Sequence, residues 1–225
     1  MLPLRWLARF APIVALTCFH GSPVIELPAS RPSDTFAILV TGDGGWRAID
    51  RDLAESFRAN GISVVGLVAP DFFSERKTAN EASRALEQLI GHYIARWHRH
   101  RVILVGYSRG AGVLPFMISR LPAADRARIS AVALLGLDAA IDFKYSPKVL
   151  LWHADDDLTI PVAPELRKLR GLHVLCVAGV NDEESICRSL PTDVATSVLV
   201  PGSHHLGSNY RAIARVILAA AGNAQ

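Results

Sequence analysis

Residues 101–112 of the chain read RVILVGYSRGAG. The run starts with apolar, largely β-branched residues, as a buried strand does, and ends in small residues typical of a helix start. Between them, Gly106, Ser108 and Gly110 form G-x-S-x-G, the motif that exposes a serine hydroxyl on a sharp strand-to-helix turn. Glycines on both sides give such a turn its backbone freedom. The pattern predicts Ser108 as a nucleophile; a turn that merely contains these residues is the alternative.

Composition limits the class of protein. The chain has 225 residues, of which 50% are hydrophobic and 20% charged. This length suits one sizeable core, and the composition excludes a disordered chain. The formal net charge is only +3, and the sequence has no run of lysine and arginine interleaved with aromatic residues. We therefore expect no nucleic-acid partner.

The first 20 residues differ from the rest. Arg5 and Arg9 precede an apolar stretch at 10–19, which is too short to span a bilayer but suits the apolar region of a secretory signal. We expect residues 1–20 to be a signal peptide and the protein to be exported. A buried N-terminal strand or helix is the alternative, and Cys18 lies in a poor context for lipidation.

Removal of such a signal would leave two of the three cysteines. Cys176 and Cys187 lie eleven positions apart in the sequence. In an oxidising compartment we expect them to form a disulfide that closes a short loop. Two separate buried thiols are the alternative.

Strand and helix patterns alternate along most of the chain. Apolar runs predict strands at 36–41, 62–68, 101–106, 129–137, 149–153, 172–178 and 197–200. Helical spacing predicts helices at 46–60, 78–97, 109–121, 161–170 and 209–221. Strands that are apolar throughout favour an α/β fold, with a mostly parallel central sheet and helices on both faces. We expect residues 21–34, which contain three prolines, to be irregular and residues 35–225 to form a single domain.

A serine nucleophile needs a general base, and the base needs an orienting carboxylate. In folds built on this elbow the order is serine, acid, histidine, each after a strand. The last predicted strand leads to His204 and His205. Adjacent side chains on extended backbone point to opposite sides, so we expect one base at most. We predict His204, because Leu206 can then pack inward; His205 is the alternative, and a role for neither remains open.

Two loops could supply the acid. Asp157 follows the predicted strand at 149–153, and Asp182 follows the one at 172–178. If the second strand lies beside the histidine strand, its loop lies beside the histidine, so we prefer Asp182 and keep Asp157 as the alternative. The disulfide would also brace the loop that carries Asp182. The aspartates at 155–157 could instead form a solvated turn, and they lack the regular ligand spacing of a calcium site.

A glycine-rich loop at 42–45 follows the first predicted strand of the domain. An oxyanion hole needs two backbone N–H groups. We predict those of Arg109, directly after the nucleophile, and of Asp43 or Gly44. The loop has neither a Walker lysine nor G-x-G-x-x-G, which disfavours a nucleotide cofactor. A glycine-rich turn without chemical meaning is the alternative.

Four stretches of the chain occur together: GDGGW at 42–46, GYSRGA at 106–111 with VLPF at 113–116, the Cys176 to Cys187 loop, and PGSHH at 201–205. In this combination the chain resembles the VirJ/AcvB family of bacterial virulence proteins. The resemblance spans about residues 34–219 and implies an α/β-hydrolase fold, a periplasmic location and, for the AcvB branch, hydrolysis of lysyl-phosphatidylglycerol. It also favours the Cys176 to Cys187 loop as the acid loop. Arg109 departs from the family pattern, in which an aromatic residue is expected.

An aminoacyl ester carries a cationic amine near its carbonyl, so a carboxylate near the nucleophile would select it. We predict Asp43 for this role, with Asp71 behind it; a turn cap is the alternative for Asp43. We expect the Arg109 cation to shift the substrate preference. The sequence thus predicts a serine ester hydrolase with a lipid or small-molecule substrate, transient membrane contact, and no metal or organic cofactor. The alternatives are a general carboxylesterase and a catalytically idle adaptor of secretion-system proteins.

Overall fold

The computed structural model describes residues 15–19, 22–31, 33–145 and 159–222. The strands are β1 (Ala15–Phe19), β2 (Ser22–Leu27), β3 (Thr35–Val40), β4 (Ser63–Leu67), β5 (Arg101–Tyr107), β6 (Ile129–Leu135), β7 (Ala140–Ile141), β8 (Ile160–Pro161), β9 (Val174–Gly179) and β10 (Thr196–Val200). The helices are α1 (Ala48–Ala59), α2 (Ala69–Phe72), α3 (Ala79–Trp97), α4 (Arg109–Ile118), α5 (Ala123–Arg126), α6 (Ala163–Leu166) and α7 (Tyr210–Gly222). The predicted strand at 149–153 and Asp157 lie outside the described residues.

Eight of these strands form one sheet, in the order β1-β2-β4-β3-β5-β6-β9-β10. From β4 to β10 every neighbouring pair is parallel, whereas β2 pairs antiparallel with both β1 and β4. On one side of β5 lie four strands, β3, β4, β2 and β1, and on the other side lie three, β6, β9 and β10. The strand that leads to Ser108 therefore lies in the middle of the sheet, where its backbone is paired on both edges.

Both faces of the sheet are covered. Side chains of β3, β5 and β6 alternate between two apolar clusters, one packed with α3 and α4 and the other with α1 and α7. Ile103 and Leu104, which are adjacent in β5, are both fully buried, one in each cluster. A strand buried on two faces must be apolar throughout, which is the pattern that predicted the α/β fold. That prediction is confirmed.

The segment before the domain is not irregular as predicted. Residues 22–27 form β2, which joins the sheet through β4. The prolines of this segment suggested irregular chain, but Val24, Ile25 and Leu27 are buried, so an apolar run prevails over its proline content. Strand β1, which pairs with β2, lies within the stretch 1–20 that is predicted as a signal peptide. None of the described helices is both long and apolar enough to cross a membrane.

The order of the last strands decides which loop reaches the histidines. β9 pairs in parallel with β10, so the loops after both strands leave the same edge of the sheet. The predicted disulfide is confirmed: Cys176 in β9 is bonded to Cys187, which closes the loop that contains Asp182. The disulfide therefore attaches the loop to the strand that precedes it and restricts the movement of the backbone at Asp182.

Candidate active site

Ser108 lies at a sharp turn between β5 and α4. Its φ of 51° and ψ of −113° are values that non-glycine residues rarely adopt. Two backbone hydrogen bonds hold it there: its N–H donates to the Leu135 carbonyl at 2.8 Å, and its carbonyl accepts from Gly112 N–H at 3.0 Å. The strained turn is thus fixed by the neighbouring strand and by the helix that follows.

The two glycines of the motif are required by close backbone contacts. A Cβ at Gly106 would lie 2.3 Å from the Gly110 carbonyl oxygen, and one at Gly110 would lie 2.0 Å from the Val40 carbonyl oxygen. Both distances are far below van der Waals contact. Only glycine therefore lets α4 begin this close to β3 and β5.

The two histidines point in different directions. Nε2 of His204 lies 3.0 Å from the Ser108 hydroxyl oxygen. Nδ1 of His205 instead lies 2.9 Å from the Tyr107 hydroxyl, with which it shares a hydrogen bond. The His204 ring packs on Gly136, where a Cβ would lie 3.1 Å from Cε1. Of the two, His204 is therefore the one placed to take the serine proton.

Asp182 lies behind this histidine. Its Oδ2 is 3.3 Å from Nδ1 of His204, and its side chain is only 3% exposed. The Asp182 N–H donates to the Gly179 carbonyl at 3.1 Å, so the residue sits at the first turn after β9. Ser108, His204 and Asp182, predicted from the sequence, are brought together in that order.

A second carboxylate, which the sequence reasoning missed, faces the same nitrogen. Oδ1 of Asp138 lies 3.9 Å from Nδ1 of His204. Asp138 follows β6, and a carboxylate after a buried strand beside the nucleophile strand is the signal that could have revealed it. Its pKa is raised to about 6, mainly by burial and in part by the charge of Asp182, while the charge of His204 opposes the rise.

A cleft of about 420 Å³ opens in front of Ser108. It is lined by Gly42, Asp43, Gly44, Gly45, Arg47, Ala48, Ile49, Tyr107, Ser108, His204, His205 and Tyr210. The Tyr210 hydroxyl donates to the His205 carbonyl at 3.1 Å and so ties α7 to the histidine loop. Burial raises the pKa of Tyr107 to about 12, so its hydroxyl keeps its proton at neutral pH.

The predicted oxyanion donors lie on adjoining segments. Arg109 is the first residue of α4, and an N–H in the first turn of a helix has no acceptor within the helix. Asp43 and Gly44 form the turn after β3 that lines the cleft, closed by a 3.1 Å hydrogen bond from Gly45 N–H to the Gly42 carbonyl. The two segments touch, because a Cβ at Gly42 would lie 3.3 Å from the Ser108 Cβ.

Asp43 and Arg109 require a correction, because they pair with each other. The Arg109 guanidinium donates through Nε to one carboxylate oxygen of Asp43 and lies 3.4 Å through Nη2 from the other. The Arg109 side chain is 5% exposed. Asp43 is therefore not the free carboxylate predicted for a substrate amine, and Arg109 does not present its charge to substrate. Asp71 is exposed on α2 and is not among the residues that line the cleft.

A family model for the bacterial virulence protein VirJ matches residues 34–225. The chain belongs to the VirJ family. No curated protein matches its sequence. Among solved structures, Est1E from Butyrivibrio proteoclasticus is similar with a TM-score of 0.66 at 12% identity, over 95% of this chain and 99% of that one. A carboxylesterase from Mesorhizobium loti has a TM-score of 0.62 at 18% identity, over 92% of this chain and 98% of that one.

A thioesterase domain from the curacin biosynthetic pathway also matches, with a TM-score of 0.59 at 16% identity, over 92% of this chain and 99% of that one. At these identities the likeness establishes the fold, and this VirJ family member has the α/β-hydrolase fold. Its described residues include no group of three histidine, cysteine, aspartate or glutamate side chains that could hold a metal ion.

Proposed function

We propose that this VirJ family member is an exported serine hydrolase that cleaves an ester through an acyl-enzyme. The observation that carries the proposal is the 3.0 Å separation between Nε2 of His204 and the hydroxyl oxygen of Ser108 at a strained elbow. A serine hydroxyl is a weak nucleophile until an adjacent base takes its proton. Asp182, at 3.3 Å from Nδ1, stabilises the tautomer in which Nε2 is free to accept that proton.

The proposed reaction has two halves. Ser108 attacks the ester carbonyl while His204 accepts its proton, and the N–H groups of Arg109 and of Asp43 or Gly44 hold the developing oxyanion. His204 then gives the proton to the departing alcohol, which leaves the acyl group on Ser108. In the second half a water molecule, deprotonated by His204, attacks the acyl carbonyl; the bond to Ser108 Oγ then breaks, His204 returns the proton to that oxygen, and the carboxylic acid leaves.

We propose an aminoacylated phospholipid such as lysyl-phosphatidylglycerol as substrate. The resemblance to the AcvB branch supports this choice, and so does the charge of the cleft. Arg47 lines the cleft and is exposed, and a guanidinium is well suited to a phosphate. Because Asp43 is paired with Arg109, the cleft has no free carboxylate from Asp43 for the lipid amine. In this proposal, Arg47 binds the lipid phosphate instead.

Export is supported by two features. The sequence begins with a signal-like segment, and the Cys176–Cys187 disulfide is typical of proteins that fold in oxidising compartments. A periplasmic hydrolase would meet its lipid by transient contact with the membrane surface. Expression of the full chain in a bacterial host, followed by fractionation and N-terminal sequencing, tests this: periplasmic protein shortened near residue 20 is expected, and full-length cytoplasmic protein would contradict it.

Lipid hydrolysis is tested with purified mature chain and vesicles of phosphatidylglycerol that contain lysyl-phosphatidylglycerol. Wild type is expected to release free lysine, and Ser108→Ala is expected to release none above the vesicle blank. If wild type cleaves p-nitrophenyl acetate but not the lipid, a soluble-ester carboxylesterase is the function. If wild type hydrolyses neither substrate faster than Ser108→Ala does, the protein is not a serine hydrolase, and the catalytically idle adaptor is the function that remains.

The role of Arg47, which directly precedes α1, has a matched control in Arg51, an exposed arginine one turn further along that does not line the cleft. Arg47→Gln is expected to raise KM for the lipid about tenfold, the effect of one lost charged hydrogen bond, and to leave p-nitrophenyl acetate hydrolysis unchanged. Arg51→Gln should change neither. Equal effects of the two substitutions would show that only the overall surface charge matters.

A further inference from the structure

His204 has carboxylates from two different strands beside one ring nitrogen. Asp182 comes from the loop after β9 and Asp138 from the loop after β6, and their oxygens lie 3.3 Å and 3.9 Å from Nδ1. Coulomb energy is inversely proportional to distance. At equal dielectric, the attraction between a charged His204 and the nearer carboxylate is therefore only about a fifth stronger than its attraction to the farther one. Distance alone therefore does not make Asp182 the sole acid.

The atoms concerned lack other partners. Within the described residues, Nδ1 of His204, Oδ2 of Asp182 and Oδ1 of Asp138 are buried, and none of the three makes a well-formed hydrogen bond. A buried polar atom without a partner is costly and calls for an explanation. The two carboxylate oxygens lie 3.3 Å and 3.9 Å from the one ring nitrogen, so a charge interaction within the group accounts for all three atoms together.

The two acid loops are joined to each other. Asp138 forms a backbone bridge with Ser185, and the Ser185 hydroxyl donates to the Leu137 carbonyl at 3.1 Å. Ile186 N–H donates to the same carbonyl at 3.0 Å, and Cys187 follows directly. The disulfide thus fixes not only the loop of Asp182 but also, through these hydrogen bonds, the backbone of Asp138.

The two carboxylates differ in their exposure to solvent. The Asp138 side chain is 42% exposed, although its Oδ1 is buried, whereas the Asp182 side chain is 3% exposed. Water therefore screens Asp138 more strongly and lets it adjust to the ring. Burial, helped by the charges of Asp182, Glu184 and Asp43 and opposed by that of His204, raises the pKa of Asp138 to about 6, so the carboxylate is mostly charged at neutral pH.

We propose that Asp138 is a second positioning residue for His204: together with Asp182 it places negative charge beside Nδ1 and stabilises the imidazolium that forms when Ser108 loses its proton. The inference rests on the proposed hydrolase function. It assigns Asp138 no contact with the reacting atoms: the residue acts through the histidine, and it becomes the principal acid when Asp182 is removed.

The test is a double-mutant cycle on p-nitrophenyl acetate hydrolysis, with Asp138→Asn, Asp182→Asn and the double variant. Asparagine keeps the size of aspartate and removes its charge. We expect Asp138→Asn to lower kcat about threefold in the wild-type background and at least about tenfold in the Asp182→Asn background, with KM unchanged in both. Glu184→Gln is the charge control, because it removes an exposed carboxylate near Asp138 that belongs to the loop of Asp182. It should leave kcat within about twofold of wild type.

A structural role would give a different result. If Asp138 only supported its loop, Asp138→Asn would lower kcat by the same factor in both backgrounds, and that equality would overturn the inference. Circular dichroism establishes that each variant is folded; if the double variant is not, Asp138→Ser in the Asp182→Asn background replaces it. Labelling of Ser108 by a fluorophosphonate gives a second rate that should follow the same cycle.

The two proposals fail in distinguishable ways. A wild type that neither hydrolyses the ester faster than Ser108→Ala nor reacts with the fluorophosphonate would overturn the hydrolase function and this inference with it. A wild type whose activity and labelling depend on Ser108, but whose Asp138→Asn effect is the same with and without Asp182, would overturn only the role of Asp138.

Discussion

Aspartates on the two sides of the nucleophile strand are handled differently. On the β3 side, Asp43 pairs with Arg109, a buried and permanent cation. On the β6 and β9 side, Asp138 and Asp182 face His204, which is a cation only when it holds a second proton. A charge neutralised at all times can only support the structure, whereas one that waits for a proton can favour a transition state.

On the β3 side, the donors of the Arg109 guanidinium are taken up by contacts within the protein. Besides Asp43, the Arg109 guanidinium donates to the Asp142 carbonyl at 2.6 Å, and it lies 5.9 Å from the centre of the Tyr145 ring. A buried guanidinium with these partners has little left for a substrate. Arg109 therefore holds the glycine loop against α4, which fixes the two segments that carry the proposed oxyanion donors.

The largest expected effect is the loss of that fastening. Arg109→Met should lower the free energy of unfolding by about 4 kcal/mol, because it leaves the Asp43 carboxylate without its cation. Urea denaturation measures the change, and Arg51→Met, at an exposed site, should stay within about 0.5 kcal/mol of wild type. Equal stability of wild type and Arg109→Met would show that the pair is not structural.

The disulfide supports the other side. Replacement of both Cys176 and Cys187 by serine should lower the free energy of unfolding by about 3 kcal/mol, the loop-entropy value for a loop of this length. It should also lower kcat in the folded protein, because the loop that carries Asp182 is released. The disulfide would be separate from catalysis if the folded double-serine variant kept the full kcat on p-nitrophenyl acetate.

A matched pair of substitutions compares the two sides directly. Asp182→Asn should lower kcat about 100-fold, less than the roughly 10⁴-fold loss known for a triad without its acid, since Asp138 remains. Its unfolding free energy should change little. Asp43→Asn should do the reverse, with a loss of about 2 kcal/mol in stability and kcat within about threefold. The contrast between the sides fails if both variants lose kcat equally.

The smallest expected effect concerns pH. The unfolded pKa of Asp138 is 3.8 and burial raises the folded value to about 6, so the stability that its protonated form provides is full below pH 3.8 and lost as the pH rises through 6. After allowance for its exposed part, the loss is about 1 kcal/mol. Asp138→Asn should therefore melt higher than wild type at pH 8 and alike at pH 3.5; a lower melting temperature at pH 8 would contradict this.

Much of the fold was predictable because its signals are local. The buried β5 reads as an unbroken apolar run, and the elbow needs glycines that stand next to Ser108 in sequence. Asp182 could be preferred because strand order places its loop beside His204. By contrast, β2 was missed because the three prolines at 21–34 suggested irregular chain, although β2 itself contains only Pro23 and pairs with β4.

What the sequence could not supply is charge compensation. Asp43 and Arg109 are 66 residues apart, and nothing local shows that one neutralises the other. Asp138 follows β6 just as Asp182 follows β9, so the strand-end rule that favoured Asp182 also points to Asp138. The sequence reasoning weighed only Asp157 and Asp182 as acids, because nothing local shows that two strand ends converge on one ring nitrogen.

The proposed mechanism requires Ser108 to carry the acyl group during turnover. Mass spectrometry of the protein quenched during p-nitrophenyl acetate hydrolysis tests it directly, with His204→Ala as a variant that keeps the serine but lacks its base. We predict that wild type gains the mass of one acetyl group on the peptide that contains Ser108, and that His204→Ala and Ser108→Ala gain none there. Turnover that depends on Ser108 without this adduct, or an adduct on another residue, would contradict the account.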